Sequence, residues 1–205
     1  MLILAIDCSG ATSACALHDG ETMIAERFHA GGQTHSETFL PMIVEMMDSV
    51  GVKPLDLTGI AVTIGPGAFT GVRIGLATAQ ALAYPDLPCV GVSTLEVMAQ
   101  SAAGEDGRVY VARDARRDEA YTACFIAKDG VIKRMCNDHL MPKVTQTDEH
   151  ISSCASGKLT KVIDVPITGA MLCAAVMPYF ERGETVSVDQ LQPNYVRKSQ
   201  AERES

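Results

Sequence analysis

The residues best suited to chemistry lie in a glycine-rich stretch that follows an apolar run at residues 60–64 and reads Gly65-Pro66-Gly67-Ala68-Phe69-Thr70-Gly71. A glycine turn that leads into a helix can bind an anion through the free N–H groups and the dipole of the helix N-terminus. However, no Lys-Ser or Lys-Thr pair follows the last glycine, and the glycines stand one residue too far apart for a dinucleotide fingerprint. The spacing therefore favours close strand–helix packing over nucleotide binding.

Histidines, serines and carboxylates give no credible metal site or nucleophile. His29 and His35 are separated by a glycine loop, a spacing that no single helix face brings together. Asp7 and Asp114 each end a predicted strand and could bind magnesium, but aspartates at such positions more often accept the N–H groups of a turn. There is no Gly-x-Ser-x-Gly elbow. The sequence thus predicts no metal ligand and no catalytic residue.

Composition and charge indicate an ordinary globular protein that does not bind nucleic acid directly. The chain has 205 residues, 47% of them hydrophobic, and a formal net charge of -8. A negative protein gains nothing from the phosphate attraction that drives nonspecific nucleic-acid binding. The seven cysteines form no Cys-x-x-Cys pair, which indicates a reducing compartment. With no signal peptide and no run of membrane-spanning length, we expect a soluble, cytoplasmic protein.

Two stretches with strand-like patterns predict the same supersecondary unit twice. The first has a hairpin turn at Asp19-Gly20 and strands at residues 2–6, 13–18 and 21–28. The second has a turn at Asp129-Gly130 and strands at residues 109–113, 120–126 and 131–135. Two such antiparallel meanders suggest an internal duplication. The polar, glycine-rich residues 104–107 predict a boundary between domains at 1–104 and 105–205.

The C-terminal third of the chain is less clearly patterned. Residues 137–161 show little periodicity, and we expect a strand at 162–165, a helix at 170–180 and an extended docking segment near 191–198.

Two helices are predicted near the glycine-rich stretch, at residues 34–50 and 70–84. The first is apolar over about half of its circumference, whereas a single core contact needs an arc of roughly 100°. One sector of the arc is formed by Phe39, Met42, Ile43, Met46 and Val50, and Leu40, Val44 and Met47 continue it. Such a helix either lies between two elements of its own chain or exposes part of the arc to a partner, and the pattern leaves both possibilities open.

The second of these helices is rich in small residues, including Gly71 and Gly75. Glycine lowers helix stability, so its presence indicates that another backbone approaches closely. Thr70 is the expected N-cap of this helix.

Several motifs follow one another along the chain. The longest is the glycine-rich motif, which continues as Val72-Arg73-Ile74-Gly75. Shorter ones are Ile3-Leu4-Ala5-Ile6-Asp7, His35-Ser36-Glu37, Gly91-Val92-Ser93-Thr94-Leu95, Asp114-Ala115-Arg116 and Tyr195-Val196-Arg197. In this series they resemble the bacterial TsaB family, also called YeaZ, over almost the whole chain. The glycine-rich motif is specific, and the others gain weight from their order.

The resemblance implies a two-lobe, duplicated α/β fold of the ASKHA (actin-like ATPase, RNase H-like) superfamily. Each lobe would hold a mixed sheet that starts with an antiparallel meander, and the second lobe would be reduced. The implied role is that of a non-catalytic dimerisation and scaffold subunit in the formation of N6-threonylcarbamoyladenosine at position 37 of tRNAs that read codons beginning with A. The implied partners are the catalytic paralogue TsaD, the ATPase TsaE and, for the chain alone, a second copy. ATP and metal would be bound by partner subunits, and tRNA would be contacted only indirectly.

The resemblance also implies where partners bind. It places the interface on the two helices, which favours the partner interpretation of the apolar arc and explains the small residues as a close helix–helix seam. The implied partner-binding residues are His35, Phe39, Met42, Ile43, Met46, Phe69, Thr70, Arg73, Ile74 and Ala77.

Other functions remain as alternatives at the level of sequence. A nucleotide or anion loop would consist of Asp7, Ser9, Gly67, Ala68 and Thr70. Ala68 stands where the family usually has Ser, and Cys8 where it usually has Thr, and both departures weaken this site. An ASKHA phosphotransferase would need an adenine site, for which only Thr168-Gly169-Ala170 offers a hint. A metallopeptidase, an older label for the wider family, is the remaining alternative.

Overall fold

The structure is a computed structural model that describes residues 1–31, 35–143 and 158–197. Its first sheet contains the strands β1 (Ile3–Asp7), β2 (Thr12–His18), β3 (Met23–Ala30), β4 (Gly59–Thr63) and β5 (Cys89–Val92), in the order β3-β2-β1-β4-β5. β1, β2 and β3 form an antiparallel meander, and β4 and β5 extend the sheet in parallel on the other side of β1. The predicted meander is therefore present at the start of a mixed sheet.

The turn between β2 and β3 differs from the predicted two-residue hairpin. The Asp19 carboxylate accepts the backbone N–H groups of Glu21 and Thr22, each at 2.8 Å, and the Asp19 N–H donates to the Thr22 carbonyl. This side-chain capping lengthens the turn, so β3 begins and ends two residues later than expected.

The second sheet repeats the plan of the first. It contains β6 (Gly107–Arg116), β7 (Glu119–Lys128), β8 (Val131–Arg134), β9 (His139–Pro142) and β10 (Leu159–Ile163). β6, β7 and β8 form the second meander, β9 also pairs with β7, and β10 lies parallel to β6 as β4 lies parallel to β1. Among the described residues, no strand extends this sheet beyond β10 in the way that β5 extends the first. The repeated meander agrees with expectation, and each sheet contains five strands in the part of the chain that the structure describes.

The predicted strand at 162–165 lies instead at Leu159–Ile163, because the chain pairs with β6 in a register that starts at Arg108. The weakly patterned stretch contributes β9 as well, and its residues 144–157 lie outside the described part of the chain.

Within the described residues, four α-helices cover the sheets: α1 (His35–Ser49), α2 (Phe69–Leu82), α3 (Thr94–Ala99) and α4 (Gly169–Glu181). α1 and α2 pack on one face of the first sheet, in a core that includes Leu4, Ile6 and Val62. α3 and α4 share a second core with both sheets, formed by residues such as Val111 and Phe125 of the second sheet.

The two halves of the chain exchange helices. α4, from the second half, packs on β1, β2 and β3 of the first sheet, whereas α3, from the first half, packs on β6 and β7. The core around α3 and α4 is therefore continuous across residues 104–107. The division into units at 1–104 and 105–205 stays a prediction.

Candidate partner-binding face and interlobe cleft

The side of α1 that was expected to bind a partner faces the first sheet instead. Phe39, Ile43 and Met46 are completely buried against the first sheet. A period of 3.6 residues places them on one side of the helix, and that side is covered by the chain itself. The expectation that these three residues contact a partner is therefore wrong. The side that remains open carries Leu40 and Val44, each with 42% of its surface exposed.

His35 and Met42 lie at the margin of the buried side and are half-buried. The Nε2 atom of the His35 ring lies 2.9 Å from the carbonyl oxygen of Gly10, so this histidine connects the start of α1 to the turn after β1. His35 thus makes a contact within its own chain.

α2 also has an inner and an outer side. On the inner side, a Cβ atom on Gly71 would overlap with the carbonyl oxygen of Cys8, and Gly75 faces Val62 of β4. The close backbone approach is present at Gly71, but the approaching backbone belongs to the same chain, and the nearest atoms to Gly75 are side-chain atoms of that chain. The interpretation of Gly71 and Gly75 as a seam with another subunit is therefore wrong. α2 begins at Phe69, with Ala68 as N-cap and no side-chain capping bond, instead of being capped by Thr70.

The outer side of α2 is open to solvent. Phe69, Thr70, Arg73 and Ala77 are exposed, and Ile74 is half-buried between the two sides. Because α1 and α2 contact each other on the same face of the sheet, their outer sides form one surface. We call this surface, formed by Leu40, Val44, Phe69, Arg73 and Ala77, the docking face.

One corner of the docking face contains a cluster of two aromatic rings and one cation. The Arg73 guanidinium lies 3.9 Å from the centre of the Phe69 ring, one helical turn away. The Phe69 and Tyr195 rings are stacked, with their centres 5.3 Å apart and an interplanar angle of 23°. Arg73 Nε donates to the Tyr195 hydroxyl at 2.9 Å. Tyr195 thus joins a surface otherwise built from α1 and α2.

Tyr195 is fixed in place by its neighbours in the C-terminal segment, residues 191–197. The Asn194 N–H donates to the Ile64 carbonyl at 2.7 Å, and its side-chain amide donates to Asp138 at 2.7 Å. On the other side, the Arg197 guanidinium is paired with Glu119. The segment therefore links the glycine-rich turn of the first sheet to the second sheet.

Asp138 is the acceptor at the centre of this link. Its carboxylate, only 4% exposed, accepts from Ser93 at 2.8 Å and from Asn194, and it pairs with Arg134 at 2.7 Å. Arg134 in turn bonds to Glu96 of α3, which also accepts from the Tyr179 hydroxyl. This network holds α3, α4 and the C-terminal segment together.

A cleft of about 880 Å³ lies between the two sheets beside the docking face. Ser9, Gly67, Ala68 and Thr70, from the candidate anion loop, line it. Asp7 does not, because it is buried below Ser9, where its Oδ1 atom accepts from the Ser9 N–H, the Ser9 hydroxyl and the Thr63 hydroxyl. The expectation that Asp7 belongs to a ligand-contacting loop is therefore wrong.

The two turns that contribute to the candidate anion loop, at residues 8–11 and 65–68, contact each other directly. The Ala68 N–H donates to the Ser9 carbonyl at 2.8 Å, and a Cβ atom on Gly67 would overlap with that same carbonyl oxygen. The Arg113 guanidinium lies against Gly10 and donates to the Ser9 hydroxyl at 3.2 Å. The Ala68 N–H and the Ser9 hydroxyl are therefore already paired within the chain, and anion binding by this loop stays a prediction.

Asp7 and Asp114 occupy matching places in the two meanders. Each accepts the backbone N–H of the residue two positions later, from Ser9 at 3.1 Å and from Arg116 at 2.7 Å. The Arg116 N–H and the Lys143 ammonium lower the pKa of Asp114. The turn interpretation of both aspartates agrees with the structure. Among the described residues, no group of three or more His, Cys, Asp or Glu side chains converges in the manner of a metal site.

Sequence reasoning missed the residues that organise the site from a distance. Thr63, Arg113 and Asn194 carry no local signal, because their side-chain partners lie 56 or more residues away. Asp138 pairs with Arg134 four residues away, but its bonds to Ser93 and Asn194 span 45 and 56 residues. Tyr195 belongs to a motif that supported the family resemblance, but nothing in that motif points to Arg73.

In the part of the chain that the structure describes, no helix has the length and apolar character needed to cross a membrane.

A family model for TsaD, described as tRNA N6-adenosine threonylcarbamoyltransferase, matches residues 29–192. The chain belongs to this family. Among curated proteins, it is 37% identical over 139 residues to TsaB of Bacillus subtilis, a tRNA threonylcarbamoyladenosine biosynthesis protein, which covers 67% of this chain and 61% of that protein. It is 42% identical over 126 residues to TsaB of Escherichia coli, which covers 60% of this chain and 54% of that protein. The chain thus spans between half and two thirds of the length of these relatives.

The solved structure of YeaZ from Pseudomonas aeruginosa superimposes with a TM-score of 0.80 at 27% identity, covering 95% of this chain and 99% of that one. A second structure from that organism, an uncharacterised protein with similarity to peptidase YeaZ, has the same TM-score and identity. The TsaB/YeaZ resemblance is confirmed, and so is the α/β fold with two mixed sheets that each start with an antiparallel meander.

Proposed function

We propose that this chain is a non-catalytic scaffold subunit in the formation of N6-threonylcarbamoyladenosine at position 37 of tRNA. It binds the catalytic paralogue TsaD through the docking face and holds TsaD in an active form. The observation that carries the proposal is the docking face itself. The inner sides of its two neighbouring helices pack on the first sheet, and their outer sides expose Leu40, Val44 and Phe69. Adjacent exposed apolar side chains of this kind mark protein–protein contact sites.

The proposal assigns the chemistry to partners. In this chain, the Ala68 N–H and the Ser9 hydroxyl beside the cleft are already paired within the chain, which disfavours a phosphotransferase that would bind ATP through them. ATP and metal are then bound by other subunits, namely TsaD and the ATPase TsaE. The names of the curated relatives, which place them in threonylcarbamoyladenosine biosynthesis, support this role.

The charge of the chain supports an indirect relation to RNA. A net charge of -8 opposes phosphodiester binding, so the tRNA is held by another subunit. A cytoplasmic location belongs to the same proposal, and in the absence of TsaD the docking face would bind a second copy of the chain.

Reconstitution of the modification reaction tests this function. Purified TsaD and TsaE from the same organism, ATP, threonylcarbamoyl donor and unmodified tRNA are combined with and without this chain, and modified nucleoside is measured by mass spectrometry. The proposal expects product only when this chain is present, and no product from the chain without TsaD. Product formation by TsaD and TsaE at an equal rate without the chain would contradict it.

A further inference from the structure

Arg73 has an unusual position on the docking face. Its Nε atom is bonded to the Tyr195 hydroxyl, and one face of its guanidinium is covered by the Phe69 ring. Within the described residues, no acceptor lies within hydrogen-bond distance of its two terminal nitrogens, Nη1 and Nη2, and no carboxylate is paired with it. The arginine is thus held in one orientation, and the four N–H donors of its terminal nitrogens have no partner among the described residues.

If a partner buries the Arg73 guanidinium, that partner must supply a hydrogen-bond acceptor for its terminal nitrogens. A guanidinium that loses water without gaining a counter-charge costs several kcal/mol, which would offset much of the gain from the apolar contacts around it. This requirement is met by a planar anion that accepts from two nitrogens at once, as a carboxylate does. An aspartate or glutamate on the partner therefore completes the site.

The aromatic rings make the arginine suitable for this task. Phe69 and Tyr195 remain 46% and 43% exposed, so a partner can cover them as well. Because the stack and the Tyr195 bond already fix the guanidinium, less side-chain entropy is lost when the partner binds. Fixed arginines surrounded by aromatic rings are typical of residues that dominate interface energetics.

We propose that Phe69, Arg73 and Tyr195 form the charged anchor of the docking face, and that Arg73 binds a carboxylate of TsaD flanked by apolar side chains. This inference rests on the proposed function. It adds Tyr195, supplied by the C-terminal segment, to the interface, and it specifies the chemistry of the group that the partner must present. Tyr195 acts as a positioning residue, because it orients Arg73.

Affinity measurements with four variants test the anchor. Purified TsaD from the same organism is titrated by calorimetry with the wild-type chain and with Arg73→Glu, Arg73→Lys, Tyr195→Phe and Arg182→Glu. Arg182 is the matched control, because it is also exposed and also lies over an aromatic ring, that of Tyr179 at 5.2 Å, but belongs to the end of α4 on the other side of the first sheet.

The expected results form a graded series. Arg73→Glu weakens binding about 100-fold or more, since two carboxylates would face each other. Arg73→Lys keeps the charge but loses the planar fork, and costs about 10-fold. Tyr195→Phe keeps the stacked ring but loses the acceptor for Nε, and costs a few-fold, whereas Arg182→Glu leaves affinity unchanged. The wild-type affinity falls with added salt more steeply than that of Arg73→Glu, a difference that a purely structural role would not produce.

Binding measurements distinguish a failure of the proposed function from a failure of the charged anchor. If the wild-type chain does not bind TsaD, the proposed function is contradicted and the anchor with it. If the wild-type chain binds and Arg73→Glu binds equally well, only the anchor is contradicted. If Arg73→Glu disrupts association of the chain with itself but not with TsaD, the carboxylate comes from the exposed acidic residues of α1 in a second copy, and the assignment to TsaD is overturned.

Discussion

A Cβ atom on Gly71 would occupy the same space as the carbonyl oxygen of Cys8. The contact brings the first turn of α2 directly onto the end of β1, and it explains why the glycine-rich motif tolerates no side chain there. We expect Gly71→Ala to destabilise the fold by at least about 2 kcal/mol, because the backbone of Cys8 must move. Urea unfolding of the variant measures the loss.

Gly75→Ala on the same helix is the matched control. A Cβ at this position would lie 3.4 Å from Val62, an ordinary van der Waals distance. Because alanine favours helix over glycine, we expect this variant to be as stable as the wild type or more stable by up to about 1 kcal/mol. Equal destabilisation by the two substitutions would show that backbone contact at Gly71 is not the reason for its identity.

Substitutions at two neighbouring β-branched residues distinguish the buried side of α1 from its exposed side. Ile43 is fully buried and Val44 is 42% exposed. Ile43→Ala should lower the free energy of unfolding by about 2–4 kcal/mol, since it leaves a cavity under the helix. Val44→Ala should change it by no more than about 0.5 kcal/mol. Comparable losses in thermal or urea unfolding would mean that the helix is rotated relative to the structure described.

The six cysteines that the structure describes should react in two distinct groups. Burial raises the pKa of the Cys8 and Cys15 thiols from 9.0 to about 12, with the Asp7 charge adding to the effect on Cys8. Burial likewise raises the pKa of Cys89 and Cys173 to about 11. At pH 8 we expect these four to resist alkylation in the native protein, while the half-buried Cys124 and Cys136 are modified first. Mass spectrometry of iodoacetamide-treated protein identifies the modified sites.

The same pKa shifts predict a loss of stability in alkali. Between pH 9.0 and about 12, the Cys8 and Cys15 thiols lose their protons in the unfolded chain but keep them in the folded protein. The free energy of unfolding should therefore be unaffected by these thiols below pH 9.0 and should fall as the pH rises toward about 12. Cys15→Ala should reduce the slope of that fall. Native-state alkylation of Cys8 or Cys15 as fast as in denaturant would disprove the burial of these thiols.

The C-terminal segment should depend on Asp138. Removal of this buried carboxylate leaves the Ser93 hydroxyl and the Asn194 amide without their acceptor, and it removes one of the two carboxylates paired with Arg134. We expect Asp138→Ala to cost about 2–4 kcal/mol and to accelerate hydrogen exchange in residues 191–197. Glu184→Ala is the control, because its pair with Arg182 is exposed on both sides and should contribute little. Unchanged exchange in the segment would refute the role of Asp138.

Local sequence patterns were sufficient for the meanders but not for the faces of the helices. Asp19-Gly20 and Asp129-Gly130, with apolar runs beside them, defined both meanders, and Gly71 of α2 correctly indicated a close backbone. For α1, the wide apolar arc contained both the buried Ile43 and the exposed Val44. Only the position of the sheet decides which of the two faces outward, and that position is a property of the whole fold.

The charged anchor could not be predicted from sequence for a related reason. Arg73 and Tyr195 are 122 positions apart, and no periodicity or motif connects them. The same holds for Asp7 and Thr63, which meet only because β1 and β4 are neighbours in the sheet. The sequence resemblance placed Arg73 at the interface, but its orientation depends on the C-terminal segment.

The affinity of TsaD for docking-face variants tests the central claim most directly. Leu40→Glu and Val44→Glu each place a charge on the docking face without disturbing the core, and Val131→Glu does the same at an apolar residue of β8 that is 65% exposed. The account predicts that either docking-face variant weakens TsaD binding at least about 30-fold, while Val131→Glu binds like the wild type. Wild-type affinity in both docking-face variants, with all three proteins folded, would contradict it.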